Sequence, residues 1–286
     1  MRILFSLLVL FSANHLFAQR MKVLTRLDNE LNETSGLLVF TDSTWLTIND
    51  SGNPAVVFEI DNRGNILSQT TFSNAVNFDW EELQMDDSGH IYIGDIGNNE
   101  QSRNGLTIYK FHRDHIGRAD VLTEVIEFYY PNQMYFPPKK SERNFDAEAF
   151  LVQRDSIFIF TKDGSRPFTG ISKMYYVPNQ VGRHAAVYLR TFKTNNLSPY
   201  RDPITGACWY GEDILILTYG AIYHIKDVQQ LLHTTNFIQS KKYIFKKLKQ
   251  FEAIAASDDG KIYITTEKHR ILGRAKLYLW SGMEKK

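Results

Sequence analysis

The chain has 286 residues, 43% of them hydrophobic and 23% charged, enough apolar material for one large domain or two small ones. That composition excludes intrinsic disorder and a collagen-like chain. Its 33 Lys and Arg nearly cancel its 32 Asp and Glu, so the formal charge of +1 supplies no field that would draw nucleic acid or an anionic membrane.

In chain order, residues 1–18 carry Arg2 and then the apolar run Ile3 to Phe11, well short of the ~20 residues that a bilayer span needs. Early charge followed by a short apolar run reads as a cleavable export signal, with Leu16 and Ala18 at the minus-three and minus-one positions before Gln19. No lipobox cysteine stands near the cut. The expected product is a monomeric periplasmic or secreted domain over residues 19–286, without membrane insertion. Cys208 is the one cysteine, so this domain holds together by packing and not by an internal disulfide.

From residue 20 onward the chain reads as short strands: TWLTIND (44–50), HIYIGD (90–95), SIFIFTK (156–162), DILILTY (213–219) and KIYITTE (261–267). Each is rich in β-branched and aromatic residues and bounded by Asp, Asn, Ser and Gly. The stretches DNRGN (61–65), DDSG (86–89) and SDDG (257–260) carry hairpin-turn chemistry, and KDVQQLLHT (226–234) alone has a helical pattern.

Five segments repeat a small or acidic anchor followed by apolar residues: TSGLLVF (34–40), DWEELQM (79–85), DAEAFLV (146–152), PITGACWY (203–210) and FEAIAAS (251–257). From the anchors Ser35, Glu81, Glu148, Thr205 and Glu252, the next strand ends at Asp50, Asp95, Lys162, Tyr219 and Glu267, offsets of 15, 14, 14, 14 and 15 residues. Anchor-to-anchor spacings vary from 46 to 67, so each unit keeps its first hairpin and varies the remainder. Four-strand units of roughly 40–50 residues are the periods of propeller blades. The predicted fold is all-β, a five-bladed β-propeller with units at 31–72, 79–130, 145–194, 203–248 and 250–281. Six blades are the alternative count, and a β-sandwich is the competing architecture. The last unit has three strands, and the leftover strand MKVLTRLD (21–28) is expected to join it and close the ring.

In a propeller blade the start of the first strand and the end of the second meet on one face. This collects Asp79, Glu81, Asp146, Glu148 and Glu252 with Asp50, Asp95, Asp163 and Glu267 around one mouth of the axis, with Lys162 as the nearest cation and Lys268, His269 and Arg270 following the last hairpin. Carboxylates ~6 Å apart repel by roughly 3 kcal/mol per pair at an effective dielectric of about 20. Calcium, which takes Asp, Glu, carbonyl and water oxygens, would offset that repulsion; protonation or a salt bridge to Lys162 is the metal-free alternative. The expected metal ligands are Glu81, Glu148 and Glu252, and the expected ligand-binding residues are Asp50, Asp79, Asp95, Arg103, Asp146, Lys162 and Glu267. The competing reading has these carboxylates capping backbone N–H groups at the blade entrances.

The blade starts SGL, DWEEL, DAEAF, ITGA and FEAIA resemble those of the SdiA-regulated propeller family over most of residues 31–281. The resemblance implies a propeller with a metal-compatible axial site and carries Glu81, Glu148 and Glu252 over as its acidic positions. The chain departs from the family in having Glu82 and Ala149 where Gly is usual. A looser likeness links it to calcium-dependent propeller hydrolases.

Several other motifs carry weaker signals. GDIGNNEQSRNG (94–105) is a loop that binds a ligand through Arg103 and its amides, or a long hairpin turn. His112 and His115 lack a third zinc ligand at recognisable spacing, there is no G-x-S-x-G elbow, and Cys208 falls in an inner strand as a buried thiol. Lysines 241, 242, 246, 247 and 249 read as an outer strand facing water, and PNQMYFPPKKSERN (131–144) as a lip over the channel or a plain surface loop. The function expected is a ligand-binding or scaffold module supported by a divalent cation, taking a small molecule or protein at the channel mouth. The alternative is a calcium-dependent hydrolase of phosphate esters or lactones. In that version Asp95 or Asp146 is the general base and Lys162 or Arg103 the oxyanion partner.

Overall fold

The computed structural model describes residues 20–194, 198–226, 240–247, 249–268 and 273–283. The export segment, residues 227–234 of the stretch 226–234 that carries a helical pattern, His269 and Arg270 lie outside the described residues. The first strand, β1 (Arg20–Arg26), is followed by blade one: β2 (Thr34–Val39), β3 (Thr44–Asn49), β4 (Val56–Asp61) and β5 (Ile66–Thr71). Blade two holds β6 (Trp80–Met85), β7 (His90–Asp95), β8 (Leu106–His112) and β9 (Glu124–Tyr129). Blade three holds β10 (Asp146–Gln153), β11 (Ser156–Lys162) and β12 (Ile171–Pro178). Next come β13 (Gly182–Ala185), which pairs in parallel with β9 of blade two, and β14 (Val187–Lys193), which completes blade three. Blade four holds β15 (Ile204–Tyr210), β16 (Asp213–Thr218), β17 (Ala221–Ile225) and β18 (Ser240–Ile244). Blade five holds β19 (Phe251–Ala256), β20 (Ile262–Thr266) and β21 (Lys276–Ser281), with β1 as its outermost strand.

The ring therefore has five blades, and it closes as the leftover strand requires. β1 runs antiparallel to β21 from Arg20 opposite Ser281 to Arg26 opposite Lys276. Closure also binds blade five to blade one. The N–H of Leu27 reaches the carbonyl of Ala275, the N–H of Asp28 reaches that of Gly64, and Leu27 and Leu31 are fully buried. Gly64, at φ +82°, ends the predicted turn 61–65, where Asp61 accepts from the N–H groups of Arg63 and Asn65. A side chain on Gly64 would meet the carbonyl of Arg26, so this turn supports the seam only as glycine.

The inner strands β2, β6, β10, β15 and β19 touch their neighbours in that order and return to β2. Five apolar clusters fill the five gaps between adjacent blades. Phe150, Ile159 and Tyr175 meet Ile108 and Phe128 between blades three and two, for example, and Leu37 and Phe58 meet Ala253 and Leu277 between blades one and five. Strands covered on both sides by such clusters need no polar alternation, which is why Ile157–Phe160 and Ile214–Leu217 are apolar at every position. Burial of each large side chain contributes roughly 1.5–3 kcal/mol, so most of the stabilisation lies between blades. Cys208 is buried in the blade-four to blade-five cluster, as expected of an inert thiol, and Lys241 and Lys242 stand on the outer strand β18.

Removing residues 20–26 would leave the edge of β21 unpaired and uncover the parts of the two adjoining clusters on which Leu24 and Met21 pack. The truncated chain is expected to melt well below the intact domain and to associate on size-exclusion chromatography. A truncated monomer with the parent melting temperature would show that β1 does not close the ring.

Candidate functional site

Each inner strand begins with the same irregularity. In the first hairpin of blade two, Trp80 lies opposite Asp95 and Glu82 opposite Gly94, leaving Glu81 as an extra, unpaired residue. The extra residue is Glu148 in blade three, Thr205 in blade four and Glu252 in blade five, and in blade one it falls at Ser35–Gly36. The five anchors are thus five β-bulges. A bulge re-aims one side chain out of the ladder, and here it directs the anchors of successive blades into the mouth or onto the neighbouring blade. Ser35 donates to the carbonyl of Glu81 at 2.7 Å and Thr205 to that of Phe251 at 2.7 Å, so the hydroxyl anchors bind adjacent inner strands together. The three glutamate anchors keep their carboxyl groups for the mouth.

The register corrects one equivalence drawn from spacing. Asp50, Lys162, Tyr219 and Glu267 each follow the residue opposite the one before the anchor, and in blade two that position belongs to Ile96. Asp95 stands one residue earlier, because the blade-two hairpin is one residue longer than its polar residues suggest. It is 1% exposed, accepts from the N–H of Asp79 at 2.9 Å and pairs with Arg103 at 3.0 Å. The Arg103 guanidinium also donates to the carbonyls of Gly97 and Asp95, so it fastens the loop 96–103 onto the strand end. Asp163, likewise, accepts from Ser165, Thr169 and Gly170 and shapes its own loop.

Seven carboxyl groups remain around the mouth: Asp50, Asp79, Glu81, Asp146, Glu148, Glu252 and Glu267. Oxygens of Asp50, Asp79 and Glu81 lie within 4.8 Å of one another. Glu148 falls outside that set and forms an ion pair with Lys162 at 2.8 Å. Asp146 accepts from the N–H of Asn98 at 2.6 Å, a bond that joins blade three to the blade-two loop. Glu252 is 9% exposed and interacts electrostatically with Glu267, Lys162, Glu148 and Asp50. Tyr219, whose ring centroid is 5.8 Å from the Lys162 ammonium, also lines this centre. Its place in the hairpin repeat was the signal for it, although a tyrosine among acids does not stand out by charge.

Burial and mutual repulsion shape the ionisation of this group. Burial first, then Asp50 and Glu148, push Asp79 up to about 7. Burial raises Asp146 to about 6 against the pull of Lys162, and raises Glu148 to about 8. Glu267 rises to about 7 through burial and the charges of Asp50 and Glu33. Glu81 and Glu252 are held well above the ordinary carboxylate range, mainly by burial and then by their acidic neighbours. Burial pulls the Lys162 ammonium down, but Glu148, Tyr219, Asp146 and Glu252 outweigh it and keep the lysine charged. The mouth therefore holds protons near neutrality and would release them to a cation.

Below the anchors the axis is crossed by side chains. Glu82, fully buried, accepts from the N–H of Leu83 at 2.9 Å and from that of Ala207 in blade four at 3.0 Å. Gln84 donates to the carbonyl of the same Ala207 at 3.0 Å. Inner strands have no further strand to pair with on the axial side, and Glu82 with Gln84 satisfies the amide of Ala207 from across the ring. The positions equivalent to Glu82 are Gly36, Ala149, Gly206 and Ala253, whose small size leaves room for it. Close approach of backbones occurs at Gly36, where a side chain would meet the N of Leu83, and at Gly206, beside the carbonyl of Glu252. Glu82, singled out in the sequence only as a departure from glycine, reaches from blade two to blade four.

No family model and no curated protein matches the sequence. Among solved structures the chain is similar to a glucose dehydrogenase, with a TM-score of 0.53 at 11% identity over 93% of this chain and 100% of that one. It is also similar to the PQQ-bound aldose sugar dehydrogenase of Streptomyces coelicolor (TM-score 0.49, 9% identity, 92% and 98% covered). A further likeness is to the glutaminyl cyclase of Myxococcus xanthus (TM-score 0.48, 10% identity, 93% and 96% covered). At 11% identity the likeness to the glucose dehydrogenase is one of fold alone, and the five blades make the chain a β-propeller.

Replacing Glu82 with Ala would leave the Ala207 N–H without its acceptor and open a cavity on the axis, at an expected cost of about 2–4 kcal/mol. Urea unfolding measures it, and a loss below about 0.5 kcal/mol would show that the cross-axis contact is dispensable.

Proposed function

We propose that this chain is an exported, monomeric binding propeller whose axial mouth takes a calcium ion through Asp50, Asp79 and Glu81 and, beside that ion, a ligand. The observation that carries this reading is the 4.8 Å clustering of the three carboxylate groups. Calcium–oxygen bonds are ~2.3–2.6 Å, so two oxygens on one ion lie at most ~5 Å apart, and the three groups fit one ion with little movement. Gly97 supports the same reading. A side chain there would collide with the carboxyl groups of both Asp79 and Glu81, so the loop glycine leaves these two acids their positions. Glu148 and Glu252 are buried beside this set and not part of it, and with Lys162 they would meet a bound ligand rather than the ion. Because Glu82 crosses the axis below, ligand would enter and leave by the mouth alone. Resemblance to the SdiA-regulated propellers and the export signal at residues 1–18 fit such a module outside the cytoplasm. Among the described residues no helix is long and apolar enough to cross a membrane.

One observation favours the hydrolytic alternative: Asp146 and Glu148, held near 6 and 8 beside Lys162, form a set able to exchange a proton near neutral pH. In that version Asp146 is the base and Lys162 faces the developing negative charge. Turnover of a panel of phosphate esters and lactones, lost in Asp146→Asn, would favour it over simple binding.

The raised carboxyl groups set the pH dependence. Asp79, Asp146, Glu148 and Glu267 titrate between about 6 and about 8 in the folded chain. In the unfolded chain they titrate near 4, so the native state binds more protons across the interval between. Their contribution to stability is present below about pH 4 and is lost as pH rises through about 6 to 8. Without calcium the melting temperature is therefore expected to fall over that window. Calcium, which needs the ionised carboxylates, should restore it increasingly as pH rises. Melting with calcium and with chelator at about pH 5.5 and about pH 8.5 tests this; a calcium shift that is absent, or equal at both pH values, refutes the site. Asp79→Asn should abolish the calcium shift. It should also stabilise the metal-free protein at pH 8.5 by roughly 1 kcal/mol, a value reduced for the solvent screening of a half-buried group.

A further inference from the structure

A second, oppositely charged recess opens beside the acidic mouth. The connection from β18 to β19 brings Lys247 and Lys249 to the mouth end of blade five, and the entry to β21 brings Arg274 and Lys276 to the same place. Together with Glu267 and Tyr278 they line a cavity of about 250 Å³. The sequence pattern had assigned these lysines to an outer strand. The structure keeps Lys241 and Lys242 on β18 and carries Lys247 and Lys249 past its end, into the lining of this cavity.

From this geometry we infer that the recess binds a phosphate group. Lys247, Lys249 and Arg274 stand against one carboxyl in this lining, beside Lys276, which has a partner of its own, in a chain whose total formal charge is +1. The cations are also partly pre-positioned. Lys249 donates to the Tyr278 hydroxyl at 2.7 Å with its ammonium 4.3 Å from the ring centroid, and Tyr278 is 1% exposed. A cation held on a buried tyrosine loses less freedom on meeting an anion than a free lysine does. The volume, compared with ~30 Å³ for one water, accommodates a tetrahedral oxyanion together with part of a substituent. Arg274 and the three lysines supply the charge-assisted donors such a group requires.

Glu267 belongs to both the recess and the acidic mouth, and Gln250 donates to it at 3.1 Å from the connection that carries Lys249. A ligand whose phosphate occupies the recess would extend its remaining atoms over Glu267 toward Lys162 and the proposed calcium. The inference thus names the ligand class of the proposed binding module, a small soluble phosphate monoester. Its first half, phosphate in the recess, stands without the metal.

The test titrates inorganic phosphate and then glycerol phosphate into the protein in chelator at low ionic strength, read by calorimetry. Saturable binding, weakened about tenfold or more in the exposed-residue double variant Lys247→Ala/Arg274→Ala and by added salt, is expected. Lys249→Ala should weaken it as well, while Asp79→Asn should leave it intact. Failure of phosphate to bind the parent protein, or equal binding by the double variant, overturns the recess whatever calcium does. Binding to anionic vesicles without binding to the soluble phosphates would also overturn it. Phosphate binding in a protein whose melting ignores calcium would leave the recess standing and remove the metal. If both sites are correct, calcium should tighten glycerol phosphate and leave the double variant's calcium shift unchanged.

Discussion

The structure depends on one constraint: five inner strands converge on a common axis with their axial edges unpaired. Backbone groups along such edges must find partners, and the chain supplies them in two ways. Ser35 and Thr205 donate sideways to the inner strand of the next blade, and Glu82 and Gln84 reach across the ring to Ala207. Three further anchors are glutamates, which once ionised accept and do not donate. Ionised acceptors gathered there repel one another, which is the mismatch that the proposed cation would offset.

The energetic cost of that arrangement is electrostatic, and the fold bears it through packing elsewhere. Five apolar clusters between the blades hold the inner strands in place, so the bulges cannot relax outward to separate Glu81, Glu148 and Glu252. The carboxyl groups respond by retaining protons, and Lys162 neutralises Glu148 directly. A centre that holds protons near neutral pH and faces one opening is chemically poised: a cation, an amine or a proton-transfer partner each finds acceptors there. The proposed cation rests on the position of Asp50 and Asp79 beside Glu81, two acids that come from strand ends and not from the repeat anchors.

The charge is also divided across the mouth face. The carboxyl groups gather at the axis, whereas Lys247, Lys249, Arg274 and Lys276 gather at the rim of blade five. A nearly neutral total hides this separation entirely, which is why net charge argues against bulk polyelectrolyte partners and says nothing of a small ligand carrying both signs.

Much of the fold is legible in the sequence because hairpins of constant length repeat while the linkers vary. The strands at 44–50, 90–95, 156–162, 213–219 and 261–267, the blade count and the closing strand all follow from local pattern, since period and turn chemistry are local properties. The anchors Ser35, Glu81, Glu148, Thr205 and Glu252 were legible as equivalents for the same reason. Their unpaired state was not, because a bulge is defined by the register of two strands. Register likewise moved Asp95 from the mouth to the Asp79 amide and Arg103, a shift of one residue that no spacing count resolves. Which carboxyl groups share a volume, that Glu82 meets Ala207 across 125 residues of chain, and that lysines past an outer strand turn toward the mouth are facts of the closed ring. Local pattern is enough to fix the repeating hairpins and hence the number of blades; which side chains meet is settled by ring closure, because contacts across an axis depend on how all five blades come together and not on any one of them.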